Sequence, residues 1–273
     1  MKEVQKHGKE IGLEELKLIQ LDILTTIDKF CRENNIKYSL GCGSMLGAAR
    51  HKGYIPWDDD IDIYLLREEY EKLVEHFPEI CENVKLASLQ RDKKWNRAYS
   101  KAYDCRTEMQ DAGNKYRIGV GIDVYPIDTV PDNKDEWLRY DKKRRKYQRI
   151  YEWKISMIFR KGREWWKYFF LPFTKVILLP FSSRKIAMFL EKYSQKYRGV
   201  DSPYVFECCQ GIFQKRPFKR TALENIIDMP FEDRIVCGMK DYDEYLSNGY
   251  GDWKKLPPEE KRIVHHVFNA WWK

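Results

Sequence analysis

The chain lacks the long apolar runs that mark exported and membrane-spanning proteins. Its first ten residues are charged and contain no apolar core, so we expect no signal peptide. The apolar segment 163–181 is interrupted by Lys167, Pro172 and Lys175, and it is too short to predict a membrane-spanning helix. Hydrophobic residues make up 43% of the 273 residues and charged residues 34%, which is typical of a folded protein.

The chain also lacks a recognisable cysteine framework. It has seven cysteines, an odd number, and their spacings match no zinc-binding pattern. Cys208 and Cys209 are adjacent, which is a poor geometry for a mutual disulfide. Reduced thiols in the cytoplasm are the simplest interpretation.

Motifs for nucleic-acid recognition are missing as well. Lys and Arg number 50 against 42 Asp and Glu, which gives a net charge of +8. This excess fits an anionic substrate or a membrane surface as well as it fits nucleic acid. We therefore expect no nucleic-acid partner.

The patterns that are present predict an α/β (α+β) core over about residues 12–130. Apolar residues at helical spacing predict a helix from Gly12 to about Glu33, and alternation predicts clear strands around 36–40, 60–65 and 120–124. Weaker strands are expected at 84–89 and 99–103, and we expect Pro126 and Pro131 to end the third clear strand. Further helices are predicted at about 67–77, 134–159 and 184–197.

The acidic residues carry the chemical signal. Asp60 and Asp62 alternate with apolar residues, so on a strand both would lie on one face, and Asp123 lies in a similar pattern. Carboxylates held this close repel one another, and a divalent ion removes the repulsion; oxygen ligands favour Mg²⁺ or Mn²⁺. The competing interpretation is that Asp58 to Asp60 form an ordinary solvated acidic loop.

Just before these acids lies the short Gly-rich turn Gly41–Ser44, whose backbone N–H groups could bind phosphate. Arg50, Lys52 and Lys101 are candidate cations for a pyrophosphate, although surface Lys and Arg are usually only solvated.

The region 131–200 is basic and aromatic. Basic clusters flank the segment 163–181, which is rich in Trp, Tyr and Phe. Such a segment fits peripheral contact with a membrane surface, and it fits equally a pair of core helices with solvated flanks.

The run LGCGSMLGAARHKGYIPWDDDIDI, followed by GIDVYPID and YDEYLSNGYGDWKKLPP, resembles the LicD family, which includes fukutin-related proteins and has a nucleotidyltransferase-type fold. The resemblance extends from about Leu13 to His266. It implies a small mixed sheet flanked by helices with a helical extension, a Mg²⁺-dependent site, and transfer of a phospho-alcohol from a CDP-linked donor to a glycan hydroxyl with release of CMP. On this basis we divide the chain into a catalytic core (1–130), a basic and aromatic helical region (131–200) and a C-terminal part that completes the site (201–273).

The resemblance also assigns roles to residues. Gly43 and Ser44 match the phosphate loop, Asp60 and Asp62 match the metal-binding aspartates with Asp58 beside them, and Asp123 falls at the third carboxylate. Asp123 would complete the metal site or accept the proton of the attacking hydroxyl. Cys42 departs from the expected turn and is interpreted as a small neutral residue.

If the alcohol is choline, aromatic faces should surround its quaternary ammonium group. The candidates lie near the motifs: Trp57, Tyr125, Tyr250 and Trp253, with Asp252 as a balancing charge. A lipid-linked glycan acceptor would suit a cytoplasmic enzyme resting on the inner face of the membrane.

Three alternatives stay open at this point. A nucleotidyltransferase would use the same acids but release pyrophosphate. A CDP-ribitol or CDP-glycerol type of transferase would share the mechanism without the aromatic cage. A catalytically idle membrane-associated scaffold would depend on the basic and aromatic segment instead.

Overall fold

The computed structural model describes residues 8–111, 117–156, 172–210, 214–262 and 268–273. The helices of these ranges include α1 (Leu13–Glu33), α2 (Cys42–His51), α3 (Arg67–His76), α4 (Lys134–Ile155), α5 (Ser183–Ser194), α6 (Thr221–Glu224) and α7 (Tyr242–Tyr250). The strands are β1 (Ser39–Leu40), β2 (Asp62–Leu66), β3 (Val84–Ala87), β4 (Ser100–Asp104), β5 (Thr107–Asp111), β6 (Gly121–Thr129), β7 (Tyr204–Phe206), β8 (Phe218–Lys219), β9 (Ile226–Phe231), β10 (Arg234–Met239) and β11 (Phe268–Trp272). None of the described helices has the length and apolarity needed to cross a membrane.

The centre of the molecule is a mixed sheet with the strand order β1-β2-β6-β4-β3, which β7 and β8 extend from β6. Strands β2 and β6 run parallel, and the other pairings of this sheet are antiparallel. Helices flank the sheet, and the buried face of α1 packs on β4 and β6. The predicted mixed α/β architecture is therefore confirmed.

Two predicted boundaries around the acidic motif change. Helix α2 begins at Cys42, so most of the predicted Gly-rich turn is the first turn of a helix. Strand β2 begins at Asp62, so Asp60 lies in the loop that leads into the strand rather than on the strand itself. The backbone of that loop is still tied to the sheet, because the Asp123 N–H donates to the Ile61 carbonyl at 2.9 Å.

The expectation that Pro126 ends its strand is wrong, since β6 continues to Thr129. The Asp123 N–H faces β2, and alternation along the strand therefore turns the Pro126 nitrogen to the opposite edge. On that edge β4 pairs only as far as Val124 and β7 begins at Asp128. Proline thus occupies a gap in the ladder where its missing N–H costs no strand hydrogen bond.

A buried ion network fixes the helical extension to the core. Arg67 of α3 makes two 2.7 Å contacts with Asp128 of β6, and it also donates to Glu191 of α5 at 3.1 Å. Arg67 and Asp128 are both buried. Because a buried charge left alone is costly, this network specifies how α5 sits against the sheet.

Candidate active site

Three neighbouring strands bring the predicted chemical residues into one row. In the sheet register, Asp62 of β2 pairs with Asp123 of β6, and Asp123 pairs with Lys101 of β4. Directly paired residues project their side chains from the same face of a sheet, so these three lie side by side. Lys101 Nζ donates to Asp123 Oδ1 at 2.6 Å.

The loop before β2 adds a second group of acids. Asp58, Asp59 and Asp60 each offer a carboxylate oxygen, and these oxygens lie within 4.8 Å of one another. Together with Asp62 and Asp123 they line a cavity of about 1200 Å³. The acids are thus gathered at a cavity wall. Asp59, which is buried, belongs to this group but was not predicted as a site residue.

The surroundings of Asp62 disfavour its ionised form unless a cation lies beside it. Burial raises the pKa of its carboxyl well above the ordinary value, and the charges of Asp60 and Asp123 raise it further. A hydrogen bond from Cys42 offsets only part of this effect. The donor set consists of carboxylate oxygens crowded in a poorly solvated site, which suits a hard divalent ion such as Mg²⁺ or Mn²⁺.

The start of α2 lies directly against the acids. A Cβ atom on Gly43 would stand 2.5 Å from Asp58 Oδ2, so the close approach of this carboxylate requires glycine. Ser44 is buried, does not line the cavity, and accepts a 2.9 Å hydrogen bond from the Asp62 N–H through its Oγ. In the structure Ser44 therefore positions the start of β2, whereas Gly43 lines the cavity.

Cys42 lines the cavity with Gly43, and its Sγ lies 2.9 Å from Tyr64 Oη. Burial and the charge of Asp62 raise the pKa of the thiol well above its ordinary value. The thiol therefore stays protonated and does not offer the thiolate that nucleophilic chemistry needs.

The predicted cations are placed differently from one another. Arg50 lines the cavity, and its Nη1 donates to the Trp253 carbonyl at 2.7 Å, which ties α2 to the segment after α7. Lys101 lies beside Asp123 as described. Lys52 is exposed in the left-handed conformation that follows α2 (φ 63°), and it does not line the cavity.

The predicted aromatic residues all line the cavity. The Trp57 ring has the Arg262 guanidinium over it at 5.7 Å, and the Trp253 ring has Lys254 Nζ at 5.3 Å. Tyr125 of β6 packs against Tyr64 of β2 and against Tyr99, which directly precedes β4. Asp252 is exposed on the rim, and Tyr250 lies nearer to the Gly43 end.

Several lining residues were not predicted from the sequence, among them Tyr64, Tyr99 and Glu207. Tyr64 follows Asp62 by two positions on β2 and so shares its face of the sheet. Glu207 is buried directly after the short strand β7, and no motif surrounds it in the sequence.

The chain is similar to a known protein along nearly its whole length. Residues 35–176 match the family model described as LicD/FKTN/FKRP, nucleotidyltransferase domain. The chain belongs to this LicD family. It is 32% identical over 269 residues to the lipopolysaccharide cholinephosphotransferase LicD of Haemophilus influenzae, covering 96% of this chain and 99% of that protein.

Two shorter similarities fall on uncharacterised proteins of the genus Rickettsia. The one from Rickettsia typhi is 32% identical over 81 residues, which is 28% of this chain and 26% of that protein. The one from Rickettsia prowazekii is 40% identical over 68 residues, which is 25% of each chain. The LicD-family assignment therefore depends on the family model and the full-length relative.

Proposed function

We propose that this LicD-family protein transfers phosphocholine from CDP-choline to a hydroxyl of a cell-surface glycan or glycan precursor and releases CMP. The similarity to a lipopolysaccharide cholinephosphotransferase along nearly the whole chain supports the choice of donor and acceptor class. The observation that carries the proposal is the pairing of Asp62 with Asp123 beside the carboxylates of Asp58 and Asp60, all on one cavity.

Asp60 and Asp62 would hold a Mg²⁺ or Mn²⁺ ion, with Asp58 beside them and Asp123 available to complete the set. When bound, the ion would neutralise charge on the donor pyrophosphate and so stabilise the transition state. The fit rests on the crowding of carboxylates around Asp62, whose pKa is raised by burial and by its acidic neighbours.

The remaining steps belong to the protein's own residues. The acceptor hydroxyl oxygen forms a bond to the phosphorus that carries choline, the bond from that phosphorus to the bridging oxygen breaks, and CMP leaves with that oxygen. Asp123 is the proposed acceptor of the hydroxyl proton. Lys101, which already contacts Asp123, would approach the oxygens of the transferred phosphoryl group and stabilise their charge.

Product analysis tests the proposal without knowledge of the acceptor, since water can replace the glycan hydroxyl in slow hydrolysis. Purified protein is incubated with CDP-choline and Mg²⁺, and CMP and phosphocholine are quantified. We expect both products in equal amounts and none after Asp60→Asn or Asp62→Asn substitution. Full activity in either variant would overturn the proposed site.

The same assay separates the alternatives. A nucleotidyltransferase would bind CTP in preference and release pyrophosphate, and a ribitol or glycerol enzyme would prefer CDP-ribitol or CDP-glycerol. Thermal-shift measurements with CDP-choline, CTP, CDP-ribitol and CDP-glycerol, each with Mg²⁺, rank the four ligands directly. Absence of any Mg²⁺-dependent shift would favour the non-catalytic scaffold.

Peripheral membrane contact is the second part of the proposal, since a lipid-linked acceptor would have to be reached at a membrane. Residues 163–171 of the predicted contact segment lie outside the described residues. In its described part four apolar side chains are about 70% exposed or more: Phe173, Val176, Ile177 and Leu179. Apolar side chains exposed next to basic ones favour an interfacial position.

A further inference from the structure

Gln20 is a buried amide on the apolar face of α1. It is 4% exposed and lines the cavity that the acids also line. Helical spacing places it between Leu16 and Leu24, which are both buried, so the pattern would favour an apolar residue here. An amide removed from water costs free energy unless it forms hydrogen bonds. The partners of Gln20 therefore show why a polar group occupies this position.

Its amide nitrogen joins two parts of the candidate site. Nε2 donates to the Asp59 carbonyl at 3.1 Å and to the Gly121 carbonyl at 3.4 Å. Asp59 is the middle residue of the acidic loop, Asp58–Asp60. Gly121 is the first residue of β6 and precedes Asp123 by two positions. A side chain from α1 thus bridges the acidic loop and the strand that carries Asp123.

The orientation of the amide is fixed from its other side. A carbonyl only accepts hydrogen bonds, so the NH₂ group of Gln20 must face the two backbone carbonyls. Gln20 Oε1 accepts from Tyr54 Oη at 3.0 Å, which is shorter than the 3.3 Å from that hydroxyl to the Lys17 carbonyl. Tyr54 is itself held, because its backbone N–H donates to Glu232 Oε1 at 2.8 Å. The amide is therefore engaged through its nitrogen and through its oxygen.

The contact with Asp59 fixes the backbone of the acidic loop. The Asp59 carbonyl belongs to the planar peptide unit that leads into Asp60, so holding this oxygen restricts where the Asp60 side chain can lie. One residue further along, the Asp123 N–H donates to the Ile61 carbonyl at 2.9 Å. The chain before β2 is thus tied to β6 at two points, one on either side of Asp60.

These ties oppose the repulsion between the acids. Asp60, Asp62 and Asp123 lie close enough for their charges to act on one another, and like charges favour separation. A site that is held together before the ion arrives binds it more tightly than one that must first be assembled. Gln20 carries no charge, so it restrains the carboxylates without neutralising them.

We propose that Gln20 is a positioning residue that holds the acidic loop against β6 and so prepares the carboxylates for a divalent ion. This inference rests on the proposed metal-dependent transfer and extends the site to a residue of α1. Because its polar atoms are engaged by backbone carbonyls and by Tyr54, Gln20 acts through the acids rather than on the substrate.

Gln20→Met tests this role, since methionine is of similar length and has no hydrogen-bond donor. Calorimetric titration with Mg²⁺ alone measures the affinity for the ion. We expect Kd to rise by about 10- to 100-fold, the usual effect of losing a group that orients metal ligands. Hydrolysis of CDP-choline should then need correspondingly more Mg²⁺ for its half-maximal rate, while the rate at saturating Mg²⁺ should change much less.

Gln148→Met is the matched control. Gln148 is also a buried helical glutamine, at 8% exposed, but it lies on α4 and does not line the cavity. Its Nε2 donates to Glu152 of the same helix at 3.4 Å. Both variants should lose some stability, but only Gln20→Met should lose affinity for Mg²⁺. Tyr54→Phe is a milder second variant, which removes only the hydroxyl at Gln20 Oε1 and should raise Kd for Mg²⁺ by about 2- to 10-fold.

The outcomes separate this inference from the proposed function. A wild type that binds Mg²⁺ and releases CMP, with Gln20→Met binding the ion as tightly, would overturn the role of Gln20 while the proposed reaction stands. An equal loss of affinity in Gln148→Met would also overturn it, because the effect would then come from a general loosening of the fold. A wild type that binds Mg²⁺ but releases no CMP would overturn the proposed reaction, while weaker binding in Gln20→Met would still support the role of Gln20.

Discussion

Lys101 Nζ and Asp123 Oδ1 lie 2.6 Å apart on adjacent strands, and both residues line the cavity. The third predicted carboxylate therefore faces a fixed cation within the sheet. Such a lysine can exchange its partner, from the carboxylate to the oxygens of a bound phosphate, with little movement. This contact distinguishes Lys101 from other lysines on strands, which its position in the sequence alone could not do.

The first prediction concerns this lysine. Lys101→Met removes the positive charge but keeps an unbranched side chain, so turnover of CDP-choline should fall by about 10²- to 10³-fold, the usual effect of losing one donor to transition-state charge. Lys101→Arg should recover part of the rate. Steady-state hydrolysis rates, measured as CMP released, check both variants.

Lys85→Met is the matched control, since Lys85 lies on β3 and does not line the cavity. It should keep the wild-type rate. A rate for Lys101→Met that equals the control would mean that this lysine only neutralises Asp123 in the resting protein.

The second prediction concerns Asp62 and pH. Its folded-state pKa is raised above the ordinary value of 3.8, chiefly by burial and then by Asp60 and Asp123. The folded protein therefore holds this proton more tightly than the unfolded chain, and the metal-free protein should lose stability as pH rises from about 4 through the raised pKa. Asp62→Asn removes this contribution, so its stability advantage over the wild type should be larger at about pH 8 than at about pH 5.

Urea unfolding in EDTA at the two pH values measures this difference, with the exposed Asp132→Asn as the control. Added Mg²⁺ should stabilise the wild type and not Asp62→Asn. A stability difference between wild type and Asp62→Asn that is independent of pH would contradict the assigned electrostatics.

Much of the site followed from patterns within single strands. Alternation placed Asp62 and Asp123 on their strands, and the helix Leu13–Glu33 followed from its apolar spacing. The rest depended on register between strands. Tyr99 lies beside Tyr125 because β4 pairs with β6, and nothing in the sequence of either segment predicts this pairing. Pro126 is tolerated only because β4 and β7 leave a gap along the edge of β6.

Other features were hidden because the chain uses ordinary residues in local roles. Ser44 looks like a phosphate ligand from its motif, yet its hydroxyl accepts the Asp62 N–H. Glu207 follows a three-residue strand, and only the fold brings it to the cavity. A buried acid with no motif around it cannot be told from a surface acid until its burial is known.

The third prediction concerns membrane contact. Ile177→Glu and Leu179→Glu replace side chains that are 70% and 76% exposed, so the fold should tolerate both changes. Each buried aliphatic side chain contributes about 1.5–3 kcal/mol to an apolar contact, so the double variant should sediment with vesicles at least about tenfold more weakly. Vesicles of phosphatidylcholine and phosphatidylglycerol provide the surface.

Ile235→Glu is the control for this experiment, since Ile235 is 59% exposed on β10 and far along the chain from the segment. The control should bind vesicles as the wild type does. Equal binding by the double variant and the control would remove the described part of the segment from any membrane role.

The fourth prediction concerns the contact between α2 and the acidic loop. Gly43→Ala would set a Cβ 2.5 Å from Asp58 Oδ2, so the Asp58 carboxylate would have to shift from its position among the acids. We expect the affinity for Mg²⁺ to fall by about 10- to 100-fold, as when a group that orients a metal site is lost, while the melting temperature changes little. Calorimetric titration with Mg²⁺ measures the affinity.

Gly12→Ala is the control, because a Cβ there meets no atom within 4 Å and Gly12 precedes α1 at a distance in sequence from the acids. If Gly43→Ala bound Mg²⁺ as tightly as this control, Asp58 would have no part in holding the ion, and the site would reduce to Asp60, Asp62 and Asp123.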